Sequence, residues 1–199
     1  MPTSRVWIAV GLLLLSGCAD SFNTTRAAPT RIELPDGTVV AGANGWCVDP
    51  SFSRAMADTA VVVLGSCAAI GGDASAPQPD VPGVFTVSVE GEAVGAPSPK
   101  ELEQFFASDT GRAALARNGK PDSIEILETR QSNGRFFLHL KDQNALPGAS
   151  PTTWRALFDL GGRFVSVTLY GLKDQPIEAK DGLATLEAQV DRLVAANAP

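Results

Sequence analysis

The sequence predicts an α+β fold in which an antiparallel β-sheet is flanked by two main helices. The sheet is indicated by two hairpin patterns, whose strand-like runs are joined at Asn133-Gly134 and at Gly161-Gly162. One amphipathic helix precedes these hairpins and another follows them, and each needs a sheet on which to bury its apolar face. With 199 residues, of which 44% are hydrophobic, the chain can form a single domain with a sizeable core.

The part of the chain before the first main helix is predicted to be rich in β-strands. Residues 31–40 are interpreted as two short strands around a Pro-Asp-Gly turn, and the β-branched run 60–64 as a buried strand. Residues 71–83 are rich in Gly, Pro, Ser and Asp, which is typical of a loop. In the next strand, 84–90, one face carries Val84, Thr86, Ser88 and Glu90 and the other carries Phe85, Val87 and Val89.

The first main helix is predicted from its start signal. Ser98 is followed by Pro99 at the first helical position and by Glu101 at the third, which together form a capping box. We expect this helix to be weakened at Gly111 and to end at Asn118-Gly119.

The hairpins and the last helix follow in order. The hairpins are predicted over 123–141 and 153–172, and the final helix is expected to have Asp181 as its N-cap. Its apolar face is formed by Leu183, Leu186, Val190, Leu193 and Val194.

The N-terminus has the pattern of an export signal. Arg5 precedes an apolar run at residues 6–15, which is shorter than the roughly 20 residues of a membrane-spanning helix. The following Leu15-Ser16-Gly17-Cys18 resembles the lipobox of bacterial lipoproteins. The resemblance implies cleavage before Cys18, diacylglycerol on its thiol, and an acyl chain such as palmitate on the new amine. Ordinary cleavage at the small residues Gly17 and Ala19 stays open as an alternative.

The predicted organisation follows from this signal. It comprises a signal peptide at 1–17, a lipidated N-terminus and flexible tether at 18–30, and the folded domain at 31–199. In lipoproteins that this N-terminus resembles, aspartate directly after the cysteine favours retention in the inner membrane. Here Ala19 takes that position, and the resemblance therefore implies a lipid anchor in the outer membrane, facing the periplasm.

The two remaining cysteines, Cys47 and Cys67, form an even pair in an oxidising compartment, which predicts a disulfide bond. A structural zinc site is the alternative, but it needs about four ligands and the single histidine is distant in the sequence. Neither cysteine belongs to a Cys-x-x-Cys motif, so thiol-redox catalysis is disfavoured.

The order of elements over residues 31–197 resembles the PsbP-like domains of many bacterial lipoproteins. The resemblance is carried by a strand leading into a capped helix at 84–116, by the hairpins "ILETRQSNGRFFLHL" and "WRALFDLGGRFVSVTLYG", and by the final amphipathic helix. Residues 44–72 fit it least well. It implies an accessory or binding module, because PsbP-like domains are mostly non-enzymatic and offer no active-site residues to transfer.

Three residues are candidates for a site. His139 shares a strand face with Phe137 and Lys141, and we expect that face to be exposed and its role to be structural. Ser66 stands in half of a Gly-x-Ser-x-Gly pattern whose second glycine is replaced by Ala68, which favours a turn residue. Trp46, beside Cys47, is interpreted as core, with a possible interaction surface as the alternative.

The composition and motifs of the chain disfavour several classes of function. The net charge of −6 and the lack of a Lys/Arg cluster disfavour nucleic acid as a partner, and no glycine pattern for a cofactor is present. We expect a non-catalytic, lipid-anchored lipoprotein that serves as an accessory or protein-interaction module of the cell envelope. A carrier of a small apolar ligand or lipid is the alternative, and it would need an apolar cavity between sheet and helices. A hydrolase using Ser66 and His139 is less favoured.

Overall fold

The structure is a computed structural model that describes residues 27–56, 59–91 and 95–199. The predicted signal peptide, Cys18 and most of the predicted tether lie outside the described residues. The last residues of that tether are already part of the fold, because the Pro29 carbonyl accepts the Val48 N–H at 2.7 Å and the Thr30 carbonyl accepts the Gly42 N–H at 2.9 Å.

The described chain forms one large antiparallel sheet, a separate hairpin and four helices, which confirms the predicted α+β class. The strands are β1 (Arg31–Glu33), β2 (Val39–Ala41), β3 (Trp46–Val48), β4 (Arg54–Ala55), β5 (Thr59–Ser66), β6 (Gly83–Glu90), β7 (Ile124–Ser132), β8 (Arg135–Asp142), β9 (Ala149–Leu160) and β10 (Arg163–Leu172). The helices are α1 (Cys67–Gly71), α2 (Pro99–Ala107), α3 (Asp109–Leu115) and α4 (Ala179–Ala196), and Pro121–Ser123 forms a 3₁₀ turn.

The strand order in the large sheet is β3-β5-β6-β10-β9-β8-β7, with the short β4 also paired to β5. Both predicted hairpins are confirmed: β7 and β8 are joined at Asn133-Gly134 and β9 and β10 at Gly161-Gly162. Asn133 and Gly134 have φ values of 51° and 73°, which suit a tight hairpin turn. The early strand β6 lies between β5 and β10, so the first half of the chain is joined to the hairpins through the middle of the sheet.

The two faces of the sheet are covered to different extents. Helix α4 and the β1-β2 hairpin pack on the first face and enclose the larger core, which includes Phe85, Val167 and Leu186. Helices α2 and α3 pack on the second face over β7, β8 and β9, around Phe136 and Leu138, and this cluster also contacts Phe164 at the start of β10. Beyond Phe164, the second face of β5, β6 and β10 is therefore not covered by α2, α3 or α4 in the described part of the chain.

The first main helix is shorter than the sequence predicts, because the chain turns at Ser108. Ser108 ends α2 and also caps α3, since its hydroxyl accepts the Gly111 N–H at 3.1 Å. Gly111 is buried, and a Cβ atom at this position would overlap the Phe105 carbonyl. The prediction of one helix weakened at Gly111 is therefore wrong: glycine permits the tight packing of two consecutive helices.

The final helix begins slightly earlier than predicted. Its N-cap is Glu178, so the prediction of Asp181 as the cap is wrong, and Asp181 lies in the first turn. The neighbouring Gly182 lies against the indole of Trp154 on β9, where any Cβ atom would overlap the ring. Glycine thus allows α4 to approach the sheet closely at this point.

Candidate functional site

The registers of β5, β6 and β10 bring nine residues together on the half of the second face that α2 and α3 leave bare. Three come from each strand, and we call the set the uncovered face: Val61, Val63, Gly65, Val84, Thr86, Ser88, Ser166, Thr168 and Tyr170. Most of them are partly exposed. Among the helices of the described residues, α2, α3 and α4 do not pack over them, and Ile70 of the short helix α1 approaches the face beside Gly65.

The chemical character of the uncovered face distinguishes it from an ordinary solvated sheet. None of the nine residues is charged. The solvent side of an antiparallel sheet is usually polar, whereas the centre of a protein interface is depleted of charged residues. Charged residues lie around it: Glu90 follows Ser88 along β6, Arg155 of the neighbouring β9 pairs with Thr168, Arg54 of β4 pairs with Val61, and Asp49 lies at the edge beside β5.

An apolar groove of about 480 Å³ crosses the uncovered face near the C-terminal ends of β5 and β10. Its floor includes Val63 and Val84, and its walls are formed by Phe52, Leu146 and Leu172. These three side chains are 69%, 44% and 37% exposed. The described residues contain six exposed large hydrophobic side chains, so half of them line one groove. Such a concentration indicates a binding surface rather than scattered surface hydrophobics.

A second, more polar cavity of about 280 Å³ continues the groove, and the two share Leu146 and Tyr170. Arg155 is half-buried in its lining and donates from Nε to the Thr168 hydroxyl at 3.1 Å. Among the described residues, no carboxylate oxygen lies within 4.0 Å of the Arg155 guanidinium. Asp142 lines the same cavity, but its carboxylate accepts the backbone N–H groups of Arg117 and Asn144 at 3.1 and 2.8 Å. The remaining guanidinium N–H groups of Arg155 can therefore serve a ligand.

The structure does not bring Ser66 and His139 together. Ser66 ends β5 and His139 lies on β8, and β6, β10 and β9 separate these two strands. Four strand spacings amount to about 19 Å, far beyond the reach of a hydrogen bond. The described residues thus offer no Ser–His pair for a hydrolase.

His139 does not lie on an exposed strand face, as its neighbours in the sequence predicted, because α4 covers that face. Its imidazole stacks on the Trp154 indole with ring centroids 4.5 Å apart. The adjoining space, lined by Leu183 and Leu186 of α4, amounts to only about 10 Å³. The Nε2 atom is buried and has no hydrogen-bond partner. Burial lowers the pKa of His139 below its usual value, an effect that the nearby Glu128 carboxylate partly opposes.

This burial predicts that acidification destabilises the fold through His139. Because its pKa is lowered in the folded state, the unfolded chain takes up the proton first, and stability falls as the pH decreases below about 6.5. We expect the free energy of unfolding, measured with urea at pH 7.5 and 5.5, to drop less in His139→Phe than in the wild type. Phenylalanine keeps the stacking on Trp154 but cannot titrate. An equal drop in both proteins would show that groups other than His139 cause the pH dependence.

Trp46 belongs to the core. It is 3% exposed, and its ring packs edge-to-face on Phe85 with centroids 4.6 Å apart. The structure agrees with the interpretation of Trp46 as a core residue. Strand β3 turns the indole inward, so Trp46 does not form an interaction surface. The predicted disulfide between Cys47 and Cys67 is present beside it and links β3 to the start of α1.

Sequence reasoning missed the residues that line the groove. Phe52 and Leu146 lie in loops and Leu172 ends a strand, so no periodic pattern singles them out. A signal for the floor was present, however: the alternation in β6 places Val84, Thr86 and Ser88 together. The same alternation in β10 places Ser166, Thr168 and Tyr170 together, so two uncharged strand faces could have been noticed.

The described residues lack two further features that would point to a class of function. Nowhere in 27–56, 59–91 and 95–199 do three or more His, Cys, Asp or Glu side chains cluster as metal ligands would. No helix within these ranges has the length and hydrophobicity needed to cross a membrane. Comparisons with protein-family models, with curated proteins and with solved structures find no match to the chain.

Proposed function

We propose that this protein is a non-catalytic, lipid-anchored lipoprotein of the cell envelope that binds a protein partner through the uncovered face. The observation that carries the proposal is the groove, where an uncharged sheet face meets half of the exposed large hydrophobic side chains of the described chain. Binding such a partner would remove these side chains from water, at a gain of roughly 25 cal/mol for each Å² buried.

The proposed anchor suits this role. With diacylglycerol on Cys18 in the outer membrane, the chain between the anchor and Pro29 has about ten residues and spans at most about 35 Å. The tether joins the fold beside β3, because Pro29 bonds to Val48 on that strand. Strand β3 pairs with β5, which is one of the three strands of the uncovered face. The groove is therefore held within reach of partners at the membrane surface.

A carrier of a small apolar ligand is the second candidate, since a volume of about 480 Å³ is typical of small-molecule sites. The groove, however, lies on the outer face of the sheet and opens to solvent. Between α4 and the sheet at His139, the available space is only about 10 Å³. The open shape favours a protein surface over an enclosed ligand.

Site-specific photo-cross-linking in native envelopes tests the proposal. We expect p-benzoylphenylalanine at position 172 to form a discrete protein adduct, because Leu172 lines the groove. Position 127 is the matched control: Leu127 is 43% exposed, but it lies on the edge strand β7, away from the groove. The change Leu146→Ser should weaken the adduct at position 172 severalfold, whereas Leu127→Ser should not.

Three results would contradict the proposal. Equal adducts at positions 127 and 172 would show non-specific contact, and no adduct at position 172 would show that the groove has no partner. An adduct with a lipid at position 172 would favour the carrier instead.

A further inference from the structure

We infer that the partner presents an extended peptide segment to the uncovered face, with apolar side chains in the groove and a carboxylate bound by Arg155. This inference rests on the proposed function and adds the chemistry of the partner. It follows from the charge of Arg155, the length of the combined groove, and the hydroxyl groups along its floor.

The charge of Arg155 indicates an anionic group. Arg155 is half-buried, and its neighbours across β8 and β10 are Leu138, which packs against the α2/α3 cluster, and Thr168 of the uncovered face. Only its Nε–H has a partner, Thr168, and no carboxylate within the described residues neutralises it. A guanidinium offers a planar fork of N–H donors that matches the two oxygens of a carboxylate. The acid already in the cavity, Asp142, is occupied by backbone N–H groups.

The length of the site suits a short extended segment. The apolar groove begins at Val63 on β5, and the polar cavity reaches Leu140 on β8. Four strand spacings separate β5 from β8, a distance of about 19 Å. An extended peptide rises about 3.3 Å per residue, so about six residues fill this length.

The lining favours a peptide over an acyl chain. Hydroxyl groups accompany the apolar side chains: Thr86 and Tyr170 line the apolar groove, and Ser150 and Thr153 line the polar cavity. A peptide backbone offers N–H and C=O groups to such hydroxyls, whereas an acyl chain would bury them without partners. Alternating side chains of an extended peptide can point into the groove while the others face solvent.

Fluorescence polarisation with defined peptides tests the inference. The probe is an N-terminally labelled Val-Leu-Ser-Val-Leu-Val with a free terminal carboxylate, titrated with the full-length protein in nanodiscs. The same peptide with an amidated terminus removes the charge, and an amidated peptide ending in glutamate moves it to a side chain. We expect the free acid to bind at least about tenfold more tightly than the neutral amide, as loss of a charged hydrogen-bonded pair predicts. The glutamate peptide keeps a carboxylate and should therefore also bind more tightly than the neutral amide.

Substitutions of Arg155 test whether this residue causes the preference for the free acid over the amide. Arg155→Gln should bind acid and amide almost equally, since of the two arginines in the cavity lining the exposed Arg117 remains. Arg155→Lys, which keeps the charge without the fork, should lose most of the preference while the fold is retained. Arg31→Gln, an exposed arginine on β1, is the matched control and should behave as the wild type. Equal binding of acid and amide by the wild type would overturn the inference, even if the adduct at position 172 persisted and upheld the proposed function. Displacement of the peptides by palmitate, with no preference for a peptide carboxylate, would also overturn it in favour of an acyl chain.

Discussion

Replacing Gln189 with leucine is expected to lower the free energy of unfolding by about 3 kcal/mol. Gln189 lies on α4 and is fully buried, at 0% exposure. Its side-chain N–H donates to the Ala41 carbonyl at 2.8 Å, and its side-chain oxygen accepts the Ala43 N–H at 2.9 Å. Leucine fills a similar volume but leaves both backbone groups without a partner, and each such group costs about 1–3 kcal/mol.

The cost is large because amide side chains attach the β1-β2 hairpin to α4. This hairpin is not part of the large sheet, so the outer backbone groups of β2 have no strand beside them. Gln189 forms hydrogen bonds with the backbone groups of Ala41 and Ala43. Asn197 both donates to and accepts from the Val39 backbone at 2.8 Å. These side chains supply the hydrogen bonds that a neighbouring strand would otherwise form, and they hold the hairpin over the larger core.

Urea unfolding followed by tryptophan fluorescence measures this effect. Gln104→Leu is the matched control, because Gln104 is exposed on α2 and the same change there should alter stability by no more than about 0.5 kcal/mol. Asn197→Ala should be destabilising as well, since it removes the second attachment of β2. Equal stability of Gln189→Leu and the wild type would show that water satisfies the two backbone groups.

The elements predicted correctly are those whose signals are local. The capping box at Ser98 and the turn at Asn133-Gly134 act within four residues, so the sequence around them is sufficient. The Ser108 cap is equally local, but the helix-like composition on both sides of it concealed the break between α2 and α3.

The pairing of strands that are distant in the sequence cannot be predicted from local patterns. The pairing of β3 with β5 around the disulfide depends on contacts across a loop, and residues 44–72 fitted the PsbP-like pattern least well. Alternation tells which residues share a strand face but not whether a helix covers it. That is why His139 was expected on an exposed face, and why the uncovered face of β5, β6 and β10 could not be recognised before α2 and α3 were placed.

The disulfide between Cys47 and Cys67 is expected to contribute about 3 kcal/mol to stability. The two cysteines are 20 residues apart, and closing a loop of that length restricts the unfolded chain by about this free energy in the chain-entropy model. Cys47→Ala/Cys67→Ala should therefore unfold at lower urea, with a melting temperature lower by about 8 °C for a domain of this size.

Single cysteine variants distinguish the contribution of the cross-link to stability from that of side-chain packing. Both cysteines are buried, at 2% and 7% exposure, so alanine also removes some contacts with Trp46 and its neighbours. If the cross-link dominates, Cys47→Ala, Cys67→Ala and the double variant should lose nearly the same stability, because breaking the bond once removes the whole constraint. Losses that add up from the single variants to the double variant would show that the contribution lies in side-chain packing at β3 and α1, and not in the restricted unfolded chain.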